Sequence, residues 1–328
     1  MSSVFSMRKT ATVLGTAAAA MALVVGSSAG ANAATYVNAG SDTLQNVTRA
    51  LTTQYTTLGG TNNWITVDAG KAAGSVTTGK AACNTNYGAG KSAWPNGSGD
   101  GINALLAERA GTNANCLSFA RSSRGPKVGS IPENSLTFTK VAGDAITWAT
   151  KKPGVPNNLT QQQIKEIYNC TITNWNQIPG STASGVIQKH IPQAGSGTRS
   201  EFIARVLGGA DPTLPAGGAC ASTVIQTAQE NRGDAPQITS IDAIIPYSKA
   251  AQGEQTNPAT GVGNHTNGFV LGNIDGIAPN GAGFVGNRDV FYVYDGTDTE
   301  SDTDAIAFIT WATAPAQKAI WTSYGFSV

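Results

Sequence analysis

An α/β fold, with mainly parallel sheets and helices on both faces, is what this sequence predicts, and an alternation of two kinds of segment predicts it. Short runs rich in Val, Ile and aromatic residues, "AITWAT" (145–150), "AIIPYS" (243–248) and "VFYVYDG" (290–296), read as strands. Longer runs with apolar residues three and four apart read as helices, and the two kinds alternate along the chain. The Gly/Asn/Thr-rich regions 68–101 and 250–287 read as loops, and there is no internal repeat.

The helices follow in order. "GSDTLQNVTRALTTQYTTLGG" puts Leu44, Val47, Leu51, Tyr55 and Leu58 on one face, and Gly59 and Gly60 end it. "NGSGDGINALLAERAG" does the same with Ile102, Leu105 and Leu106. "LTQQQIKEIYN" carries a capping-box pattern, Thr160 to Gln163, ahead of Ile164, Ile167 and Tyr168. "GSGTRSEFIARVLGG" adds Phe202, Ile203, Val206 and Leu207, and two C-terminal runs follow, the last starting at Pro315. Trp148 and Trp175 read as core residues.

Residues 1–34 read as a secretory leader. Arg8 and Lys9 precede an apolar run from about Ala11 to Val25, then an A-x-A site at Ala31-Asn32-Ala33. The run is short for a membrane span, and no later segment approaches the ~20 apolar residues a span needs. No cysteine near the cleavage site offers a lipid anchor, so an exported, soluble protein is expected. Losing two cations from 21 leaves 19 against 20 acids, a net charge of about −1. With 12% charged residues the chain has no electrostatic footprint for nucleic acid or anionic membrane. Cys83, Cys116, Cys170 and Cys220 read as disulfides in an exported chain, with the pairing open. Neither a C-x-x-C pair nor a nearby histidine suggests a metal, and no cofactor is expected.

Three predicted helices open on small polar residues: Gly40-Ser41-Asp42-Thr43, Gly97-Ser98-Gly99-Asp100-Gly101 and Gly195-Ser196-Gly197-Thr198. A helix N-terminus exposes unpaired N–H groups and a positive dipole end, which attract anions. Taken singly, each also reads as an ordinary N-cap. Arg199 in the first turn of the third is unfavourable beside the dipole unless an anion joins it; otherwise it extends into water or pairs with Glu201.

Together, "GSGTRSEF", "GSGDGINALLA" with "SFARSSRGP", and "NLTQQQIKEIYNCTITNW" resemble the phosphate-binding proteins of ABC-type phosphate uptake systems. "RDVFYVYDG" and "FITWATAPAQKAIWTSYGF" are similar to the family's hinge strand and ending, so nearly all of the chain after the leader is covered in order. The resemblance implies a two-lobed type II periplasmic-binding-protein fold, each lobe a mixed, mainly parallel sheet flanked by helices. Lobe one would comprise residues 35–150 and 251–328, lobe two residues 151–250. The implied function is capture of inorganic phosphate between the lobes, with an ABC transporter permease as partner, in a monomer and without catalysis. Carried over, the implied ligands are Asp42, Thr43, Ser98, Ser123, Arg124, Ser196, Gly197, Thr198 and Arg199. The lobe boundaries favour Cys83–Cys116 and Cys170–Cys220, because a bond across lobes would risk locking the hinge.

The chain departs from the family at Pro192, where relatives have an arginine, and at Arg124, where some have an aspartate that accepts the proton phosphate carries. Asp42 is the candidate substitute acceptor; a plain helix cap is the alternative. "TNYGAGKS" (85–92) lacks the first glycine of a nucleotide-binding loop, and Trp94-Pro95 blocks its helix. His190 and His265 belong to no H-E-x-x-H or other catalytic pattern and read as surface residues. Two rival functions stay open: a secreted phosphoester-processing enzyme on the same scaffold, and an extracellular protein whose oxyanion site has drifted.

Overall fold

The computed structural model describes residues 35–58, 63–70, 93–111, 117–213, 225–297 and 299–328. The leader, Cys83, Cys116, Cys220 and the 85–92 stretch lie outside the described residues. In chain order the strands are β1 (Thr35–Gly40), β2 (Asn63–Thr66), β3 (Leu117–Ser122), β4 (Thr137–Thr150), β5 (Asn158–Leu159), β6 (Gln188–Pro192), β7 (Ile225–Ala228), β8 (Ala243–Ser248), β9 (Val270–Leu271), β10 (Asn273–Ile274) and β11 (Asn287–Tyr294). The helices are α1 (Gln45–Thr57), α2 (Ser98–Arg109), α3 (Ile131–Asn134), α4 (Gln161–Tyr168), α5 (Gly197–Glu201), α6 (Lys249–Thr256), α7 (Thr299–Ala312) and α8 (Lys318–Ser323). A π-helical stretch, Phe202–Val206, prolongs α5.

Among the described residues, nine strands form one continuous mixed sheet in the order β2-β1-β3-β11-β4-β8-β6-β7, with β9 also on β4. β4 joins its halves. Residues 137–145 pair antiparallel with β11, and residues 146–150 pair antiparallel with β8. Parallel pairing prevails away from this seam, at β1 with β2 and β3, and at β6 with β7 and β8. The sequence predicts a sheet in each lobe; the structure fuses the two through one long strand.

Helices on both faces explain why β3 and β8 are buried at every residue. In the first half Leu44, Val47 and Leu51 of the α1 segment pack with Phe119, Tyr292, Phe308 and Trp321, while Ile102 and Leu105 of α2 cover the other face. In the second half Ile164, Ile167 and Tyr168 of α4 pack on Phe202, Val206, Trp148 and Trp175. The Thr160–Gln163 capping box forms, with Gln163 N–H donating to Thr160 Oγ1 at 3.1 Å. Among the described residues no helix is long and apolar enough to cross a membrane.

Two expectations from the sequence fail here. The region after residue 250 contains α6, which buries Ala250, Ala251, Glu254 and Gln255, so it shows no large-apolar stripe to read. His190 is fully buried on β6, between β7 and β8, and neither ring nitrogen has a hydrogen-bond partner. Burial pushes its pKa down to about 4. A lowered histidine pKa means the unfolded chain takes up a proton, from about pH 6.5 downward, that the folded chain refuses until about pH 4. Stability should therefore fall by up to ~3 kcal/mol across that window. A melting series from pH 7 to 4 should show His190→Leu losing less than the parent.

Candidate functional site

At the third helix mouth Ser196 caps α5, accepting from Arg199 N–H at 3.0 Å, which turns the Gly197 and Thr198 backbone inward. At the second, Gly97 holds φ 124°, where a side chain is strained and a Cβ would lie 2.5 Å from Gly195 O. That tight approach lets Gly99 N–H donate to Gly195 O at 2.8 Å, docking the start of α2 on the loop before α5. Ser98 is thereby aimed at Ser123: the hydroxyls are 3.1 Å apart, and Ser123 N–H donates to Ser98 Oγ at 2.9 Å. Gly197 touches both, since a Cβ there would sit 2.3 Å from Ser98 Oγ and 2.4 Å from Ser123 Oγ. Beside them Thr43 Oγ1 lies 3.5 Å from Thr198 Oγ1. Thr43, Ser98, Ser123 and Thr198 are all completely buried.

The charge in this cluster comes from a residue the sequence reading left unassigned. Arg288, on β11, donates from one terminal nitrogen to Thr198 Oγ1 at 3.2 Å and Thr43 Oγ1 at 3.5 Å, and from the other to Ser123 O at 3.0 Å. It faces Asp144 across the β11–β4 register and pairs with it at 2.7 and 3.0 Å. Asp144 also accepts from Ser248 Oγ and from Ala250 N–H at the start of α6. Both side chains of this pair are fully buried.

The two arginines carried over from the family pattern point elsewhere. Arg124 lies near Gly99 but forks onto both oxygens of Glu133, at 2.8 and 3.0 Å. Burial would raise the Glu133 pKa, yet the Arg124 hydrogen bonds and charge hold it below the usual range. Arg199 turns from the cluster to Asp211, at 3.1 Å, and to Thr213 Oγ1, at 2.6 Å. Glu201 pairs instead with Arg205.

Asp42 does not cap α1, whose N-cap is Leu44 without a side-chain bond. Its carboxyl accepts from Gln229 at 3.4 Å and from Asn231 at 3.3 Å. Asn231 Nδ2 also donates to Thr43 Oγ1 at 3.0 Å, so it ties Asp42 to the cluster. Burial first, then the neighbouring Glu230 carboxylate and a hydrogen bond with it, raise Asp42 well above the usual carboxylate range. Glu230 in turn accepts from Ser196 Oγ. Asp42 and Glu230 thus form an acidic rim to the hydroxyl cluster. The signal for Asn231 and Glu230 was the polar run "QENRG" just past β7, since ligands in α/β sheets bind beyond strand C-terminal ends.

This geometry offers donors: four hydroxyls, glycine-rich backbone and one guanidinium, with a rim carboxyl able to accept. The described residues contain no group of three or more His, Cys, Asp or Glu that could hold a metal ion.

Several solved structures share this fold. A Clostridium perfringens protein assigned as a phosphate ABC transporter substrate-binding protein, solved with bound phosphate, superposes with a TM-score of 0.61 at 19% identity, covering 89% of this chain and 98% of that one. An ABC-type phosphate transport receptor from Vibrio cholerae gives 0.54 at 16% identity, covering 89% and 99%. A phosphate-binding protein from Stenotrophomonas maltophilia gives 0.53 at 15% identity, covering 90% of each chain. No curated protein sequence matches the chain. A family model described as the PBP superfamily domain matches residues 25–316, and with that span of the chain matched, this protein belongs to the PBP superfamily.

Proposed function

We propose that the protein is an exported solute-binding protein that captures inorganic phosphate for ABC-type uptake, without catalysis. The observation that carries this reading is the buried meeting of Thr43, Ser98, Ser123 and Thr198 with the Arg288 guanidinium. Hydroxyls that pair with one another there are the donors a tetrahedral anion would take between them. Charge-assisted hydrogen bonds are roughly twice as strong as neutral ones, so Arg288 is the main electrostatic ligand in this reading. The similar folds solved as phosphate receptors support the ligand class. Calorimetric titration with phosphate, arsenate and sulfate tests it: the first two should bind and sulfate should bind less tightly. Absence of binding by any of them would favour the drifted-site reading.

The acidic rim supplies the discrimination. At neutral pH phosphate carries a proton that sulfate lacks, and a carboxylate can accept it. Asp42→Asn should narrow the phosphate-to-sulfate affinity ratio by roughly tenfold or more, equivalent to ~1.4 kcal/mol. A ratio unchanged in Asp42→Asn but collapsed in Glu230→Gln would move the acceptor to Glu230.

Export rests on residues 1–34, and β1 begins at Thr35, directly after them. Cys170 is disulfide-bonded, which suits an oxidising compartment; the pairs proposed are Cys83–Cys116 and Cys170–Cys220, because they leave the hinge free. In this reading the lobes meet along β4 and β11, with residues 151–250 as lobe two, and a permease is the partner that receives the anion.

A further inference from the structure

Behind the wall made by Asp42 and Asn231 lies a cavity of about 850 Å³. Its sides come from α1, from the 229–232 loop after β7, and from α6 with the segment that follows it. The arginines on its surface are already paired, Arg49 with Asp68 and Arg232 with Asp234. Three carboxyl groups in its wall, Asp42, Glu230 and Glu254, form no ion pair among the described residues, although the charges of Arg49 and Asp144 both act on Glu254.

Glu254 is the informative one. It is 2% exposed, and Oε1 accepts from Asn46 Nδ2 at 2.7 Å while Oε2 has no hydrogen-bond partner. Burial raises its pKa to about 8. A buried carboxyl oxygen without a donor is unfavourable, and because Glu254 lines the cavity, a small turn of its carboxyl would offer that oxygen to a donor arriving there. A metal ion does not fit, because no three acidic or imidazole groups among the described residues converge closely enough. Ala50, Val262 and Tyr324 line the same space, which suits a methylene stem, and an aromatic ring also accepts a cation over its face.

We propose that this cavity binds an organic diammonium ion, one charged head hydrogen-bonded to Glu254, the other to the Asp42–Glu230 carboxyls, and its stem lying along Ala50, Val262 and Tyr324. This site is distinct from the hydroxyl cluster but shares a wall with it, since Asn231 Nδ2 donates to both Asp42 and Thr43. Occupancy therefore couples to the anion site, and by linkage the coupling is reciprocal. Binding draws the Glu254 carboxyl into its ionised form, so a proton is released.

The test is calorimetry of the leaderless chain with putrescine, and with 1,4-butanediol as the uncharged stem, in PIPES and in HEPES at pH 7.5. Putrescine should give a saturable heat whose buffer dependence shows proton release, and butanediol should give none. Glu254→Gln should weaken putrescine at least tenfold and leave phosphate binding within twofold. Ala50→Phe, which fills the cavity without removing an acid, should abolish putrescine binding. No saturable putrescine heat, equal binding of butanediol, or parental affinity in both variants overturns the proposal. A parallel phosphate titration keeps the two sites apart: putrescine binding without phosphate binding supports this cavity and overturns the phosphate reading alone.

Discussion

Replacing Arg288 with methionine is expected to reduce phosphate affinity at least a hundredfold and to destabilise the fold. Two effects combine. The variant loses the guanidinium that reaches Thr43 and Thr198, and hydrogen bonds to a charged group contribute ~1.5–3 kcal/mol each. It also strands Asp144, whose buried carboxylate would keep only Ser248 Oγ and Ala250 N–H. Removing one member of a buried ion pair typically destabilises by ~3–5 kcal/mol. The double variant Arg288→Met/Asp144→Asn separates these effects, because it removes the stranded charge. Denaturant unfolding should show the double variant recovering much of the lost stability, while calorimetry shows that affinity stays low. Near-parental affinity in the double variant would remove Arg288 from the anion site. Arg199→Ala, by contrast, breaks contacts to Asp211 and Thr213 and should change affinity less than tenfold.

Gly197→Val is expected to lower phosphate affinity ten- to a hundredfold with little change in the remainder of the fold. Even the first carbon of the new side chain would lie 2.3 Å from Ser98 Oγ and 2.4 Å from Ser123 Oγ, well inside van der Waals contact. Overpacking of this kind costs about 1–3 kcal/mol, and here it falls on the arrangement that gathers the donors. A crystal structure of the variant should show Ser98 and Ser123 drawn away from α5. Unchanged affinity would mean that the anion does not need these three residues together.

Where the signal was local, the sequence was readable. The hydroxyls proposed as donors could be picked out because Gly, Ser and Thr at a helix start have a short-range reason to be there, and the Thr160–Gln163 cap spans one turn. "AIIPYS" matches β8 end to end because a run buried on both faces needs no alternation to be recognised. What escaped was long-range or inverted in chemistry. Arg288 and Asp144 are 144 positions apart and meet only through strand register. Arg124 and Arg199 read as ligands because their motif positions were visible, whereas their carboxylate partners, nine and twelve residues onward, sit beyond the motif. α6 hid because polar Glu254 and Gln255 occupy buried positions that a periodicity reading reserves for large apolar side chains.

The unbroken passage of β4 from one half of the sheet to the other has a mechanical meaning. A joint made of one continuous paired strand has little slack, so swinging one half against the other must wind β4 about its own axis where its partner changes from β11 to β8, between Ala145 and Ile146. Such a pivot behaves as a torsion bar: it resists displacement in proportion to angle and pushes back toward its resting pose. Cargo would then be surrendered against a built-in restoring torque, with no loose tether to wander.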